Sequence, residues 1–233
     1  MQQNNISILS TRPLPANLVE EAESAGIRID ELSFIETEPL RSVETQQEIE
    51  QAFLQSTTVV FTSMNAVDAV AAEKEEQHPD WEIYCTGQAT QQLVKHYFGE
   101  ENIAGTADSA AELAELIVEE SKAEEVIFFC GDQRREELPS ILRNHDLEVN
   151  EIVVYHTIAV PHKINQEYQG ILFFSPSAVD SFFRLNKLPS KTILFAIGKT
   201  TEAQIRKYTT NTIIRAEEPG KENLLLKAIE YFT

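Results

Sequence analysis

Positive charge is scarce in this sequence: 19 Lys and Arg stand against 38 Asp and Glu, a formal net charge of −19 at pH 7. A nucleic-acid partner is excluded, because gripping a phosphate backbone takes a basic face. Cysteine is nearly absent. Cys85 and Cys130 are the only two, each in or at the end of an apolar strand-like run with no Cys or His at ligand spacing. Buried, reduced thiols are expected, and a disulfide framework is not. No apolar run nears the length that crosses a bilayer, and Met1-Gln2-Gln3-Asn4-Asn5 has neither the basic nor the apolar part of a secretory signal. The expectation is a soluble, cytoplasmic protein with no membrane partner. The five histidines, His78, His96, His145, His156 and His162, offer no i, i+4 pair, so no metal is expected. There is no G-x-G-x-x-G. Gly198-Lys199-Thr200-Thr201 has the tail of a phosphate loop, but the upstream glycine is missing from the apolar run Leu194-Phe195-Ala196-Ile197 that leads into it. No nucleoside triphosphate or dinucleotide site is expected.

What the chain does have is itself, twice. Val59-Val60-Phe61-Thr62-Ser63-Met64-Asn65-Ala66-Val67-Asp68 returns as Leu172-Phe173-Phe174-Ser175-Pro176-Ser177-Ala178-Val179-Asp180, so that Val67 falls on Val179 at a shift of 112 residues. Each copy is an apolar β-type run, a hydroxyl-bearing turn, and Asn65 or Ser177 three residues ahead of Asp68 or Asp180, a capping-box spacing. Tyr84-Cys85-Thr86-Gly87-Gln88-Ala89-Thr90 returns as Phe195-Ala196-Ile197-Gly198-Lys199-Thr200-Thr201 at a shift of 111. At the front of each half, Ile6, Ile8, Leu18, Ile27 and Ile29 fall on Val126, Phe128, Leu138, Leu147 and Val149 at a shift of 120. Several matches in register indicate a duplicated plan.

Read in order, each half alternates strand-like and helix-like segments. Ile6 to Leu9 is a strand, Leu18, Val19 and Ala22 mark a helix closing near Gly26, and extended character runs from Ile27 to Leu40. A helix from about Thr45 to Leu54 leads to the strand at Thr57 to Thr62; Trp81 to Cys85, the Leu93-Val94-Tyr97 helix and a helix capped at Ser109 follow. The second half repeats this, with a second long extended run from Leu147 to Val160. The pattern predicts an α/β fold with parallel sheets in two lobes. Acid runs such as Glu73-Lys74-Glu75-Glu76 and Glu119-Glu120 read as solvated helix faces. The candidate ligand groups are therefore turn hydroxyls, amides and a few cations: Thr11 and Arg12, Thr62 and Ser63 with Asn65, Gly87 to Thr90, Ser175 and Ser177, and Gly198, Lys199, Thr200 and Thr201. Each alone is a plausible cap. In open parallel sheets such turns gather on one edge, and facing one another across two lobes they would suit a large polyanion.

Thr11-Arg12-Pro13, Phe61-Thr62-Ser63-x-Asn65-Ala66-Val67, Gly131-Asp132-x-Arg134-Arg135-x-x-Leu138-Pro139, Tyr155-x-Thr157, Phe173-x-Ser175-Pro176-Ser177-Ala178-Val179 and Ile197-Gly198-Lys199-Thr200-Thr201, in this order, resemble the uroporphyrinogen-III synthase family over nearly the whole chain. The family often has a basic residue where Cys130 stands and Thr where Phe174 stands. The resemblance implies two flavodoxin-like lobes, residues 1–34 with 161–233 and residues 44–151, joined by a two-stranded β ladder of residues 35–43 and 152–160. It implies an enzyme that closes the linear tetrapyrrole hydroxymethylbilane to uroporphyrinogen III, with inversion of the last ring, loss of water and no cofactor.

By the same resemblance Tyr155 is the proton donor to the departing hydroxyl, its alternative role being an aromatic packed on the ladder. Arg12, Lys199, the turn amides and the hydroxyls of Ser63, Thr90, Ser177, Thr200 and Thr201 would take the substrate's carboxylates. A hinge would let the substrate enter and curl. The chain is expected to act as a monomer, with a transient contact to hydroxymethylbilane synthase left open. The competing reading is a two-lobed tetrapyrrole- or polyanion-binding protein without catalysis, which fold alone does not separate from the enzyme.

Overall fold

The computed structural model describes residues 6–218 and 220–233; the segment Met1 to Asn5, on which the signal-peptide reading rests, lies outside them. The elements follow in order as β1 (Ile6–Ser10), α1 (Ala16–Ser24), β2 (Ile27–Glu31), β3 (Ile35–Pro39), α2 (Val43–Phe53), β4 (Thr57–Phe61), α3 (Met64–Ala72) and β5 (Trp81–Thr86). Then come α4 (Gln88–Phe98), β6 (Ile103–Ala107), α5 (Ala110–Glu120), β7 (Glu125–Gly131), α6 (Glu137–Asn144) and β8 (Glu148–Ala159). The chain ends with β9 (Gly170–Phe173), α7 (Pro176–Phe183), β10 (Ile193–Ala196), α8 (Lys199–Ile205), β11 (Ile213–Arg215) and α9 (Lys221–Phe232).

These elements form two compact units, one made of the chain up to Glu36 together with Ile158–Thr233, the other of Thr37–Thr157. The first holds a sheet of order β11-β10-β9-β1-β2; the second holds β8-β7-β4-β5-β6 with β3 added outside β8. Neighbours within each run of five are parallel. The two runs of five are the same arrangement: β7 and β8 stand where β1 and β2 stand, and β4, β5, β6 match β9, β10, β11. This is the flavodoxin-like order 2-1-3-4-5. The sequence repeat is thus a repeat of topology. The long extended segment at Ile27 to Leu40 divides into β2 and β3, whereas its counterpart is the single strand β8. Leu40 N–H donates to the Val154 carbonyl at 2.8 Å and Val160 N–H to the Phe34 carbonyl at 2.9 Å, so β3 runs antiparallel to the end of β8.

Parallel sheets carry helices on both faces, so their strands are apolar on both sides. In β4, Val59 and Phe61 pack on one face with Ile83, Cys85 and Phe129, and Val60 on the other with Tyr84, Val126 and Phe128. This is why the strand reads as an unbroken apolar run. In β1, Ile8 and Leu9 divide between two clusters in the same way.

Two details of the repeat are corrected. Gly170 falls on Thr58 at the shift of 112, yet Ile8 pairs with Gly170 and Val126 with Thr58. Ile8 therefore corresponds to Val126, a shift of 118 where 120 was expected, while Ile29 and Val149 keep 120. A slip of two residues leaves every side chain on its own face, so alternation in the sequence cannot detect it. Nor are Asn65 and Ser177 the N-caps that their capping-box spacing suggested. The N-caps are Ser63, whose side chain accepts from Asn65 N–H at 3.2 Å, and Ser175, which accepts from Ala178 N–H at 3.2 Å. The turns are shorter than the spacing suggested. Ser109 does cap α5 in a full capping box with Glu112.

Phe61 is wholly buried and stacks on Phe129 and Phe98 at ring-centroid distances of 5.4 and 6.0 Å. Phe61→Ala is expected to lower stability by about 3–5 kcal/mol, measured as a shift of the urea midpoint at unchanged slope.

Candidate functional site

Because the strands of each run of five are parallel, their carboxyl ends open on one edge, and the turns leaving them carry the candidate residues. The crevice expected to bind ligands lies where the strand order reverses. In the second unit that point is between β7 and β4. There Thr62 and Ser63 leave β4 into α3, and the Ser63 hydroxyl, already accepting from Asn65 N–H, also accepts from the Tyr155 hydroxyl at 3.1 Å. Tyr155 comes from β8, two strands away. It is partly exposed and lines a cavity of about 320 Å³ with Thr37, Arg41, Asn65 and Asp68.

The neighbouring turn after β5 is formed by Gly87 at φ +75°, a conformation only glycine takes without strain. Thr90, third in α4, is 6% exposed, so this turn presents mainly backbone. Beyond β7, Arg134 is spent on Glu151 and Glu136, and Arg143 also reaches Glu151. These arginines brace the loop. Arg41 on the cavity wall had no signal in the sequence beyond its place after the extended run that ends at Leu40.

In the first unit the reversal lies between β1 and β9. Thr11 is buried, and both its hydroxyl and its N–H donate to the Leu172 carbonyl, at 2.7 and 3.1 Å. It ties the two strand ends together. Arg12, the next residue, is exposed. Lys221, first in α9, donates to the Pro13 carbonyl at 2.8 Å. Burial first, and then the Arg12 charge, hold its ammonium below the ordinary lysine value, against a smaller opposing effect of Glu31. Sequence reading passed over Lys221, which is 208 residues from Pro13 and carries no local motif.

Ser175 and Ser177 stand at the start of α7, and Gly198 caps α8, with Lys199 and Thr200 exposed and Thr201 buried. Arg206 and Arg215 are taken up by Glu202, whose carboxyl is held below the usual range first by the Arg206 hydrogen bond. Arg12 and Lys199 have no carboxylate partner among the described residues. A depression of about 580 Å³ beside α9 is ringed by Glu217, Glu218 and Glu230 around Lys227, the wrong charge for a polyanion.

Among the described residues no three His, Cys, Asp or Glu side chains cluster as metal ligands would, and no helix is long and apolar enough to cross a membrane. Cys85 and Cys130 are free and buried.

The sequence profile described as uroporphyrinogen-III synthase HemD matches residues 16–225. The fold is similar to that of a uroporphyrinogen-III synthetase from Helicobacter pylori, with 18% identity over 97% of this chain and 99% of that one and a TM-score of 0.68. It is also similar to a mutant uroporphyrinogen III synthase from Thermus thermophilus, with 12% identity over 97% and 98% of the two chains and a TM-score of 0.61.

Burial pushes both thiols from the ordinary 9.0 up to about 11; at Cys130, Arg134 lowers the value and Glu136 raises it to smaller extents. At pH 8 about one thiol in a thousand is ionised, against about one in ten when unshifted. Neither cysteine is expected to react with a disulfide reagent in the folded protein, and both should react in urea. The associated stabilisation is fully present below pH 9 and is lost as pH rises towards about 11, because the unfolded chain ionises first. Rapid labelling of either thiol in the native state would contradict the burial.

Proposed function

This chain belongs to the uroporphyrinogen-III synthase family; it is a cyclising lyase of tetrapyrrole biosynthesis, and we propose that Tyr155 is its general acid. The observation that carries the assignment is the 3.1 Å hydrogen bond that sets the phenol on Ser63, at the reversal of strand order and on the wall of a cavity. The phenol proton passes to the terminal hydroxyl of hydroxymethylbilane, which leaves as water while a pyrrole nitrogen supplies the electron pair. The azafulvenium carbon is then attacked by the substituted carbon of the last ring, giving the spiro species. Its opening and reclosure invert that ring, and the proton shed when aromaticity returns goes back to Tyr155. One water is lost and the protein ends unchanged. After the first transfer Ser63 can turn its own proton towards the phenolate, so a single hydroxyl serves both states of the acid.

The substrate's carboxylates are assigned to the exposed and half-buried donors. In the second unit these are Thr62, Ser63, Asn65 and the turn at Gly87, joined by Arg41; Thr90 supports that turn. In the first unit they are Arg12, Ser175, Ser177, Gly198, Lys199 and Thr200, joined by Lys221, while Thr11 and Thr201 hold the turns from behind. Hydroxymethylbilane closes by itself to the wrong isomer. That instability favours a transient contact with hydroxymethylbilane synthase in the cytoplasm, and nothing in this scheme calls for more than one copy of the chain.

The test separates uroporphyrins I and III after hydroxymethylbilane is generated in the presence of the protein. Wild type should give type III. Tyr155→Phe should lower kcat roughly ten- to a hundredfold, at or below the low end for general acids because a phenol is weak and the pyrrole push is strong, with KM little changed. Type I should grow in step. Full turnover by Tyr155→Phe would remove Tyr155 from the chemistry, and type I alone from folded wild type would leave only the binding role.

A further inference from the structure

Tyr155 starts on β8, yet its hydroxyl meets Ser63 at the end of β4, with β7 in between. Two strand spacings are about 10 Å, so the side chain has to lie across the end of β7. The residue there is Gly131. A Cβ on Gly131 would stand 2.4 Å from Cζ, 2.6 Å from Cε2 and 2.8 Å from the hydroxyl oxygen of Tyr155. These are the reactive end of the ring, so any side chain at this position displaces the phenol oxygen itself.

The backbone is adapted to the same purpose. Cys130 pairs with Val153 but Gly131 pairs with Tyr155, so Val154 is an extra residue in β8. Such a bulge re-aims the side chain that follows it. Val154 is wholly buried in the cluster containing Phe61 and Ile152, and Tyr155 packs against that same cluster, where strict alternation would have put it on the opposite face. Asp132 fixes the strand beyond the bulge. Its N–H donates to the Tyr155 carbonyl at 3.1 Å, and its Oδ1 accepts from Thr157 N–H at 3.0 Å.

We infer that Gly131 and Asp132 are positioning residues for Tyr155, Gly131 by leaving the space in which the ring lies and Asp132 by clamping the backbone that follows it. The inference rests on the reading of Tyr155 as the acid, but the placement of the ring can be measured without activity. Protein carrying 3-fluorotyrosine at its six tyrosines should give one ¹⁹F resonance that vanishes in Tyr155→Phe. That resonance should move in Gly131→Ala and in Asp132→Ala and return in Asp132→Asn, which keeps the acceptor oxygen and loses the charge.

In turnover, Gly131→Ala should fall to within about threefold of Tyr155→Phe with KM unchanged, and adding it to Tyr155→Phe should cost nothing more, as for residues acting as one unit. Asp132→Ala should lose several-fold in kcat and Asp132→Asn should recover most of it. A resonance that stays in place, losses that add to that of Tyr155→Phe, or an Asn variant as damaged as Ala would overturn the inference. A resonance that moves while Tyr155→Phe retains full turnover would leave the positioning intact and remove the acid role. If Gly131→Ala does not fold, the two Asp132 variants decide the matter.

Discussion

The structure depends on one constraint: a parallel sheet has to be covered on both faces. Helices do the covering in each unit, and the apolar residues of β4 and β1 divide between the two sides. Once both faces are sealed, polar chemistry has nowhere to go but the strand ends. Those ends open together because the strands run the same way, and the loops leaving them diverge at one place, where the order reverses. A sparse set of hydroxyls and amides thereby becomes a local concentration of donors. In the second unit Tyr155 is unusual in serving both core and strand end, since its ring packs against one cover while its hydroxyl reaches Ser63 at the end of β4.

Charge poses the opposite problem. A chain with a formal charge of −19 handles a substrate bearing several carboxylates, and the long-range field is repulsive. At physiological salt, charges beyond about 8 Å contribute little, so what matters is which cations are still free at the strand ends. Arg134, Arg143, Arg206 and Arg215 are held by Glu151, Glu136 and Glu202. Arg12 and Lys199 are not so held among the described residues, and Lys221 is bonded to a carbonyl that leaves its charge uncancelled. Most of the acid stays on solvated helix faces. Local pairing therefore sorts the cations into those that brace loops and those offered outward.

Much of the fold was legible in the sequence because it is written in periodicity. Unbroken apolar runs marked the doubly covered strands, and the repeat at shifts of 111 and 112 residues corresponds to real strand pairings in β4, β5, β9 and β10. The misreadings have one cause: the sequence records spacing and not hydrogen bonds. Ser63 and Asn65 are both good caps, and only the turn geometry chooses Ser63. A two-residue slip of β1 preserves alternation and is silent. Of the candidate site residues, the turn positions were accessible through their residue types, whereas the burial of Thr11, Thr90 and Thr201 was not, since threonine reads alike whether it offers its hydroxyl outward or ties two strands together. Lys221 and Arg41 become relevant only through contacts that no local motif encodes.

Tyr155, Gly131 and Asp132 illustrate a different kind of legibility. All three stood in the sequence as motif fragments of unrelated appearance, Gly-Asp at the end of one strand and Tyr-x-Thr within the next, at the point where the register of β7 and β8 shifts. The bulge joins them, because one extra residue in β8 turns the tyrosine off its alternating course and over Gly131, which has no side chain to block it. In the role proposed for it, a phenol gains little from its intrinsic acidity, so what it contributes depends on where its proton is held. The fold supplies that place through a missing side chain, an aspartate that holds the strand by its N–H and its carboxylate, and a helix-capping serine. Placement by backbone would also let the proposed site work with few ionisable groups, because discrimination between two ring closures is a matter of geometry.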